Sequence, residues 1–364
     1  MKKKIVYLFG SGASHAVINS IDSNKQLLTS DIRQKIAEKG KDIKLTGMPA
    51  NIWNELMDPS VDIEHLISIL DTNYHYKSTQ KIREYYHDAI ISLSRDVLEN
   101  IEKPISNRNE KPVFDPNLYS ILIDSHSIKD IREKVICLLT LNYEDILEKA
   151  LKAHLNIDAD YLIEKSTKNS KKRIPVLKLH GSFNWKNTRP IKVKKAHEMT
   201  SGEALWIPPG IDKKKETYPF NVLWGKAFEY LMECNTLRVV GCSLSRNDWG
   251  LIPMIYTAMR LSEKINFFEI EIIDFIDVGE KVKKDYPYLR IKSIAEIEEF
   301  KKYLVELFSF DYKNPIPNYV KEYISSNASK KINIFEWWLK AKRLELLDAD
   351  INIATRKNYF NNFI

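Results

Sequence analysis

Residues 5–14 read IVYLFGSGAS: a short apolar run rich in β-forming residues, Ile5 to Phe9, a turn at Gly10-Ser11-Gly12, and then Ala13 to Ile18 in helical style. This strand-turn-helix pattern recurs along the chain. Val135 to Leu141 (VICLLTL) precedes a polar turn and the helical NYEDILEKALKAHL. Ile174 to Leu179 (IPVLKL) precedes His180-Gly181-Ser182, and Leu237 to Val240 precedes Gly241-Cys242-Ser243 and a helix from about Asp248 to Leu261. Phe268 to Ile273 ends at Asp274. Short continuous apolar runs alternating with helices predict an α/β fold, a Rossmann-like doubly wound parallel sheet covered on both faces.

Outward from these strands the organisation is uneven. Residues 20–132 separate the first two strands and read mostly as helices. Ile63, Leu66, Ile67 and Leu70 form one stripe, and Lys81 to Ile101 continues in the same style. That is too long for a crossover helix, so it reads as a large helical insertion. Residues 165–195 hold eleven Lys or Arg and no carboxylate, with Asn184 and Asn187 around Trp185, and read as a basic hairpin or loop. Domain 1–308 carries the sheet. Residues 309–364 form a short helical extension, with Ile334, Trp337, Trp338, Ala341 and Leu344 at helical spacing.

Composition narrows the function classes. The chain of 364 residues is 44% hydrophobic and 29% charged, which is ordinary for a globular protein and excludes collagen-like and wholly disordered classes. The apolar stretch after Lys2-Lys3-Lys4 is too short for a signal peptide, and no run reaches membrane-spanning length, so the chain reads as cytoplasmic. Three cysteines, Cys137, Cys234 and Cys242, without C-x-x-C spacing give neither a disulfide framework nor a four-cysteine zinc ribbon, and no metal is expected. The net charge of +7 favours acidic ligands through its field.

In an open parallel sheet, ligands bind beyond the carboxyl ends of the strands. Four such ends carry small polar residues: Gly10-Ser11-Gly12-Ala13-Ser14, Thr140-Leu141-Asn142-Tyr143, His180-Gly181-Ser182 and Gly241-Cys242-Ser243. The first glycine turn lets a backbone approach a phosphate and aims helix N–H groups at it. It is neither G-x-G-x-x-G, since His15 takes the third place, nor a P-loop, since no Lys follows. Read blandly, it is a tight turn, Asn142 starts a helix as an N-cap, and His180 is structural. The chemical reading rests on their coincidence at neighbouring strand ends.

The ordered set GSGAS (10–14), TLNYEDILE (140–148), KLHGS (178–182) and GCSL (241–244) resembles the sirtuin superfamily, specifically the sirtuin-like domains of bacterial antiphage defence NADases, over roughly residues 1–305. The resemblance implies that Gly10, Ser11, Gly12, Ala13 and Ser14 bind NAD, with Thr140, Gly241 and Ser243 also at the cofactor. It implies that Asn142 contacts the nicotinamide ribose and places a water, and that His180 is the general base. Two departures bear on chemistry. Where the usual motif is Thr-Asn-Tyr-Asp, Leu141 precedes Asn142 and Glu144 follows Tyr143, so either Glu144 or Asp145 would supply the carboxylate contact to nicotinamide. The G-I-P-D-F-R segment of protein deacylases is missing after Ser14, and their zinc ribbon cannot be built.

The resemblance therefore implies an NAD+ hydrolase releasing nicotinamide and ADP-ribose, which depletes NAD in antiphage defence by abortive infection. The alternatives are an NAD-dependent protein deacylase and a non-catalytic subunit sensing NAD or ADP-ribose. Similar stand-alone proteins pair with a HerA-type ATPase, which makes that the expected partner. A homo-oligomer is also expected, with the Trp337 and Trp338 stripe read either as a subunit interface or as a helix closing its own core. The basic segment reads either as a nucleic-acid contact or as a solvated loop.

Overall fold

A computed structural model describes residues 3–21, 29–40, 49–72, 76–102, 119, 133–163, 172–208, 216–246, 248, 250–262 and 268–296. The expected C-terminal extension with Trp337 and Trp338 lies outside the described residues, as do parts of the helical insertion and of the basic segment.

The strands are β1 (Lys3–Phe9), β2 (Glu133–Thr140), β3 (Asp158–Asp160), β4 (Arg173–Lys178), β5 (Gly181–Lys186), β6 (Lys192–Val193), β7 (Ala204–Trp206), β8 (Thr236–Val240), β9 (Glu269–Asp274) and β10 (Ile291–Glu296). The helices are α1 (Ser11–Ile21), α2 (Thr29–Gly40), α3 (Ala50–Met57), α4 (Ile63–Thr72), α5 (Tyr76–Glu102), α6 (Ile146–Leu155), α7 (Phe220–Glu233), α8 (Leu251–Leu261) and α9 (Ile276–Asp285). Seven strands form a parallel sheet in the order β10-β9-β8-β1-β2-β4-β3. The chain runs outward from β1 through β2 to β4 and then returns to β8 on the other side of β1. The strand order thus reverses beside β1, and a crevice opens at the carboxyl ends there. The predicted Rossmann-like α/β class is the observed one.

Alternation along the strands builds two cores, one on each face of the sheet. Ile5, Tyr7, Phe9, Leu138 and Val176 face the insertion helices, where the stripe Ile63, Leu66, Ile67 and Leu70 is buried as its spacing predicts. Val6, Leu8, Leu139, Leu177 and Val239 face the other way, toward α7 and α8. A second, antiparallel sheet in the order β6-β5-β7 branches off directly after β4. Its β5–β6 pair forms the hairpin within the basic segment. Among the described residues no helix is long and apolar enough to cross a membrane.

Candidate functional site

Backbone bonding continues past the strand ends and ties their turns into one level. Gly10 N–H donates to Val240 O (3.0 Å), Leu141 N–H to Phe9 O (3.0 Å), Leu179 N–H to Thr140 O (3.0 Å) and Gly241 N–H to Ile273 O (2.8 Å). The first and fourth turns approach closely, mainly through backbone. Gly241 sits at φ +57°, and a side chain there would overlap the Ala13 nitrogen; side chains on Gly10 or Gly12 would run into Gly241 and Cys242. Gly12 N–H donates to Gly241 O (2.9 Å) and Ala13 N–H to Gly10 O (3.1 Å). These glycines therefore have a reason inside the fold, the close approach of two turns. For the first turn this is the tight-turn alternative that the sequence offers beside a phosphate contact.

A cavity of about 540 Å³ opens above these turns, a size within the ~300–1,000 Å³ of small-molecule sites. Gly10, Ser11, Asn142, His180 and Ser243 line it. Gly12, Ala13, Ser14, Thr140 and Gly241 are not among its lining residues, so the structure gathers part of the predicted set around the cavity and places the rest beneath it. The insertion contributes the opposite wall with Arg33, Asp62, Glu64 and Tyr86. Arg33 is anchored there, donating to Leu56 O (2.6 Å) and to Asp58 O.

Ser14 and Thr140, though buried, position Asn142. Its Nδ2 donates to Gly10 O (2.9 Å), Ser14 Oγ (2.9 Å) and Tyr119 OH (3.3 Å), and its backbone N–H to Thr140 Oγ1 (3.1 Å). A carbonyl oxygen can only accept, so Gly10 O fixes which end of the amide turns inward. Ser14 Oγ in turn donates to the Glu144 carboxylate and lies 2.6 Å from Tyr119 OH. Burial pushes the Glu144 carboxyl above its usual range, opposed mainly by Lys178.

His180 is 4% exposed, in the turn that joins β4 to β5. Its carbonyl accepts from Ile207 N–H (2.8 Å). The rings of Tyr143 (6.1 Å, 32°) and Trp224 (6.5 Å, 31°) lie at shallow angles to the imidazole, and Trp224 is itself held by Nε1–H donating to Leu179 O (2.9 Å). His180 Nε2 lies 3.4 Å from Asp248 Oδ1.

Beneath the cavity lies a buried charged group. Lys178 Nζ is 3.0 Å from Glu148 Oε1 and donates to Glu144 O. Asp145, expected as one of two carboxylates for nicotinamide, is not among the cavity lining; it belongs to this lower layer, where burial and Glu148 push its carboxyl up to about 6. Glu144 does reach the cavity. Asp145 sits at the N-cap of α6.

A family model described as a SIR2-like domain matches residues 136–262. The matched segment includes Asn142, His180, Gly241 and Ser243, and stops short of the first glycine turn. Solved structures with similarity include a Sir2 homologue in complex with NAD, at 14% identity over 84% of this chain and 89% of that chain with a TM-score of 0.39. Another is a Sir2 enzyme from work on the mechanism and regulation of that group, at 17% identity over 84% and 91% with a TM-score of 0.36. A third is a mutant Sir2 homologue bound to ADP-ribose, at 16% identity over 84% and 91% with a TM-score of 0.36. No curated protein matches the chain.

Sequence reasoning missed Asp248 beside His180, and it missed the insertion wall. Asp248 had a faint signal, an acidic residue just ahead of the apolar run of α8. Arg33, Asp62 and Glu64 had none, because only tertiary folding brings α2 and the start of α4 over the sheet end.

Proposed function

We propose that this chain hydrolyses NAD+ at the bond between nicotinamide and ribose C1′, releasing nicotinamide and ADP-ribose. The observation that carries this reading is the shared cavity: Asn142 and His180 line it together, beside the Gly10-Ser11 turn. The SIR2-like match over 136–262, which spans both residues, supports an NAD-utilising site.

Breaking this bond passes through an oxocarbenium-like transition state. Nicotinamide departs with the bonding pair and becomes neutral, so no general acid is needed. A water adds to C1′, and in this reading His180 takes its proton, an assistance worth about 10²- to 10⁴-fold. Asn142 Oδ1 accepts a hydrogen bond from that water or from a ribose hydroxyl and holds the attack geometry. The carboxylates of Asp62, Glu64 and Asp248 line the same space and favour the positive charge of the pyridinium ring and of the transition state.

The test is chromatography of NAD+ incubated with the protein, alone and with a HerA-type ATPase. Nicotinamide and ADP-ribose are expected in equal amounts, with His180→Ala and Asn142→Ala each at least about 100-fold slower yet folded. Intact NAD+ with removal of acyl groups from lysine peptides overturns the reading in favour of a deacylase; binding of ADP-ribose without turnover overturns it in favour of a sensor.

Depletion of NAD during phage infection is the biological role that fits such an activity, and toxicity to the host requires that it be held in check. We propose homo-oligomerisation and a HerA-type ATPase as the means of control, supported by the family resemblance of the motifs. Light scattering with and without that ATPase measures both. Lys186, Arg189, Lys192, Lys194 and Lys195 on and around the β5–β6 hairpin are the groups proposed for nucleic acid; binding there would weaken steeply with salt.

A further inference from the structure

We infer that Glu144 is a positioning residue of Asn142, acting through the Ser14 hydroxyl, in place of the nicotinamide contact that the resemblance implies; the inference rests on the hydrolase reading above. Asn142 and Glu144 belong to the turn after β2, and Ser14 of α1 is bonded to both of them. Its Oγ accepts from Asn142 Nδ2 (2.9 Å) and donates to Glu144 Oε1. All three side chains are buried.

The hydrogens of this group can be placed by counting. A serine hydroxyl has one hydrogen and two lone pairs. The Ser14 hydrogen goes to Glu144, so Tyr119 OH, 2.6 Å away, donates to Ser14, and the second lone pair of Ser14 receives Asn142 Nδ2. Gly10 O receives the same nitrogen (2.9 Å). An amide rotated end for end would set Oδ1 against Gly10 O and a lone pair of Ser14, with no hydrogen from either. Without the carboxylate the Ser14 hydrogen is released, and the rotated amide gains a donor. Glu144 removes that alternative. It is itself held from below, where Lys178 Nζ donates to Glu144 O and lies 3.0 Å from Glu148 Oε1.

In the hydrolysis, nicotinamide leaves with the glycosidic electron pair, water adds to C1′ and its proton goes to His180. Glu144 exchanges no proton in these steps. Its part is to set which end of the Asn142 amide meets the water or the ribose.

The experiment follows nicotinamide release by Glu144→Leu, Glu144→Gln and Ser14→Ala, each alone and together with Asn142→Ala. Glu144→Leu and Ser14→Ala are expected to lose about 10- to 100-fold in kcat with KM within about twofold. Glu144→Gln keeps a carbonyl that can accept the Ser14 hydrogen, and its kcat is expected to stay within about threefold of the wild type. In the Asn142→Ala background none of the three is expected to add a further loss. A raised KM at unchanged kcat in Glu144→Leu marks a nicotinamide contact and overturns the inference, as does an equal further loss without Asn142. If Glu144→Leu does not fold, Ser14→Ala decides, and wild-type kcat there overturns it.

Exchange of the Asn142 side-chain amide hydrogens with water, read by NMR and assigned by their loss in Asn142→Ala, reports the positioning without turnover. It is expected to be slow in the wild type and in Glu144→Gln, and at least about tenfold faster in Ser14→Ala and Glu144→Leu. A wild type that leaves NAD+ intact overturns the hydrolase reading instead, and equal exchange in all four proteins then sinks the positioning role by itself.

Discussion

Asn142 Nδ2 lies 2.9 Å from the carbonyl oxygen of Gly10, so the turn after β2 hangs on the turn after β1 through one side-chain amide. The same nitrogen reaches Ser14 Oγ, which is bonded to the buried Glu144 carboxylate. Asn142→Asp replaces the donor with an anionic oxygen facing Gly10 O and brings a second carboxylate near Glu144. Removing a partner in such a network costs about 1–3 kcal/mol, more when a charge is stranded. Asn142→Asp is therefore expected to be less stable than Asn142→Ala in urea, although it is the closer isostere. An Asn142→Asp protein as stable as the wild type would remove this account of how the amide is oriented.

Gly241 carries the contact between the first and fourth turns. Its φ of +57° disfavours any side chain, and a Cβ would collide with the Ala13 nitrogen. Gly241→Ala is expected to lose more than about 2 kcal/mol, the sum of a left-handed strain and a backbone displacement. Gly225, inside α7 with nothing within 4 Å of a Cβ, is the contrasting position. Gly225→Ala is expected to gain about 0.5–1 kcal/mol from helix propensity. Urea midpoints of the two variants moving in opposite directions confirm the reading; a tolerated Gly241→Ala defeats it.

Lys178 is fully buried and paired with Glu148 below the site. Lys178→Met leaves that carboxylate beside Glu144 and Asp145 with its cation gone, a loss of about 3–5 kcal/mol for one broken buried pair. Lys178→Met with Glu148→Leu removes both charges and is expected to recover most of the loss. If the double variant is no better than the single one, packing and not charge controls this layer.

The central strands of the parallel sheet were legible because each carries an apolar run, as strands covered on both faces do: Ile5 to Phe9 is unbroken, and Leu237 to Val240 is interrupted only by Arg238, which is buried against Glu271 (2.8 Å). The helical stripe of α4 was legible for the complementary reason, its one-sided burial. Lys178 shows where reading along the chain fails: it counted as one of the basic residues of 165–195, while the structure buries it at the last position of β4. Charge has no periodicity that separates a solvated lysine from a paired one. His180 and Asn142 were found because glycine and polar residues follow the strands abruptly. Along the chain β5, β6, β7, α7 and β8 lie between His180 and Asp248; the return of the chain to β8 beside β1 is what brings them together, and a single sequence carries no record of that pairing.

Asp145 gives the site layer a pH signature with a definite sign. Burial, then Glu148, raises its carboxyl from 3.8 to about 6, against the pull of Lys178. The folded state thus holds a proton that the unfolded state has released between about pH 4 and 6. By linkage, stability from this residue falls as pH rises through that window and stays low above it, a penalty of about 2–3 kcal/mol at neutral pH. Asp145→Asn removes the ionisation while keeping a residue suited to an N-cap. The variant is expected to match the wild type near pH 4 and to exceed it increasingly up to pH 7, measured as paired urea midpoints so that other carboxylates cancel. A difference that stays constant across the window would mean that the buried Asp145 carboxyl is not the titrating group.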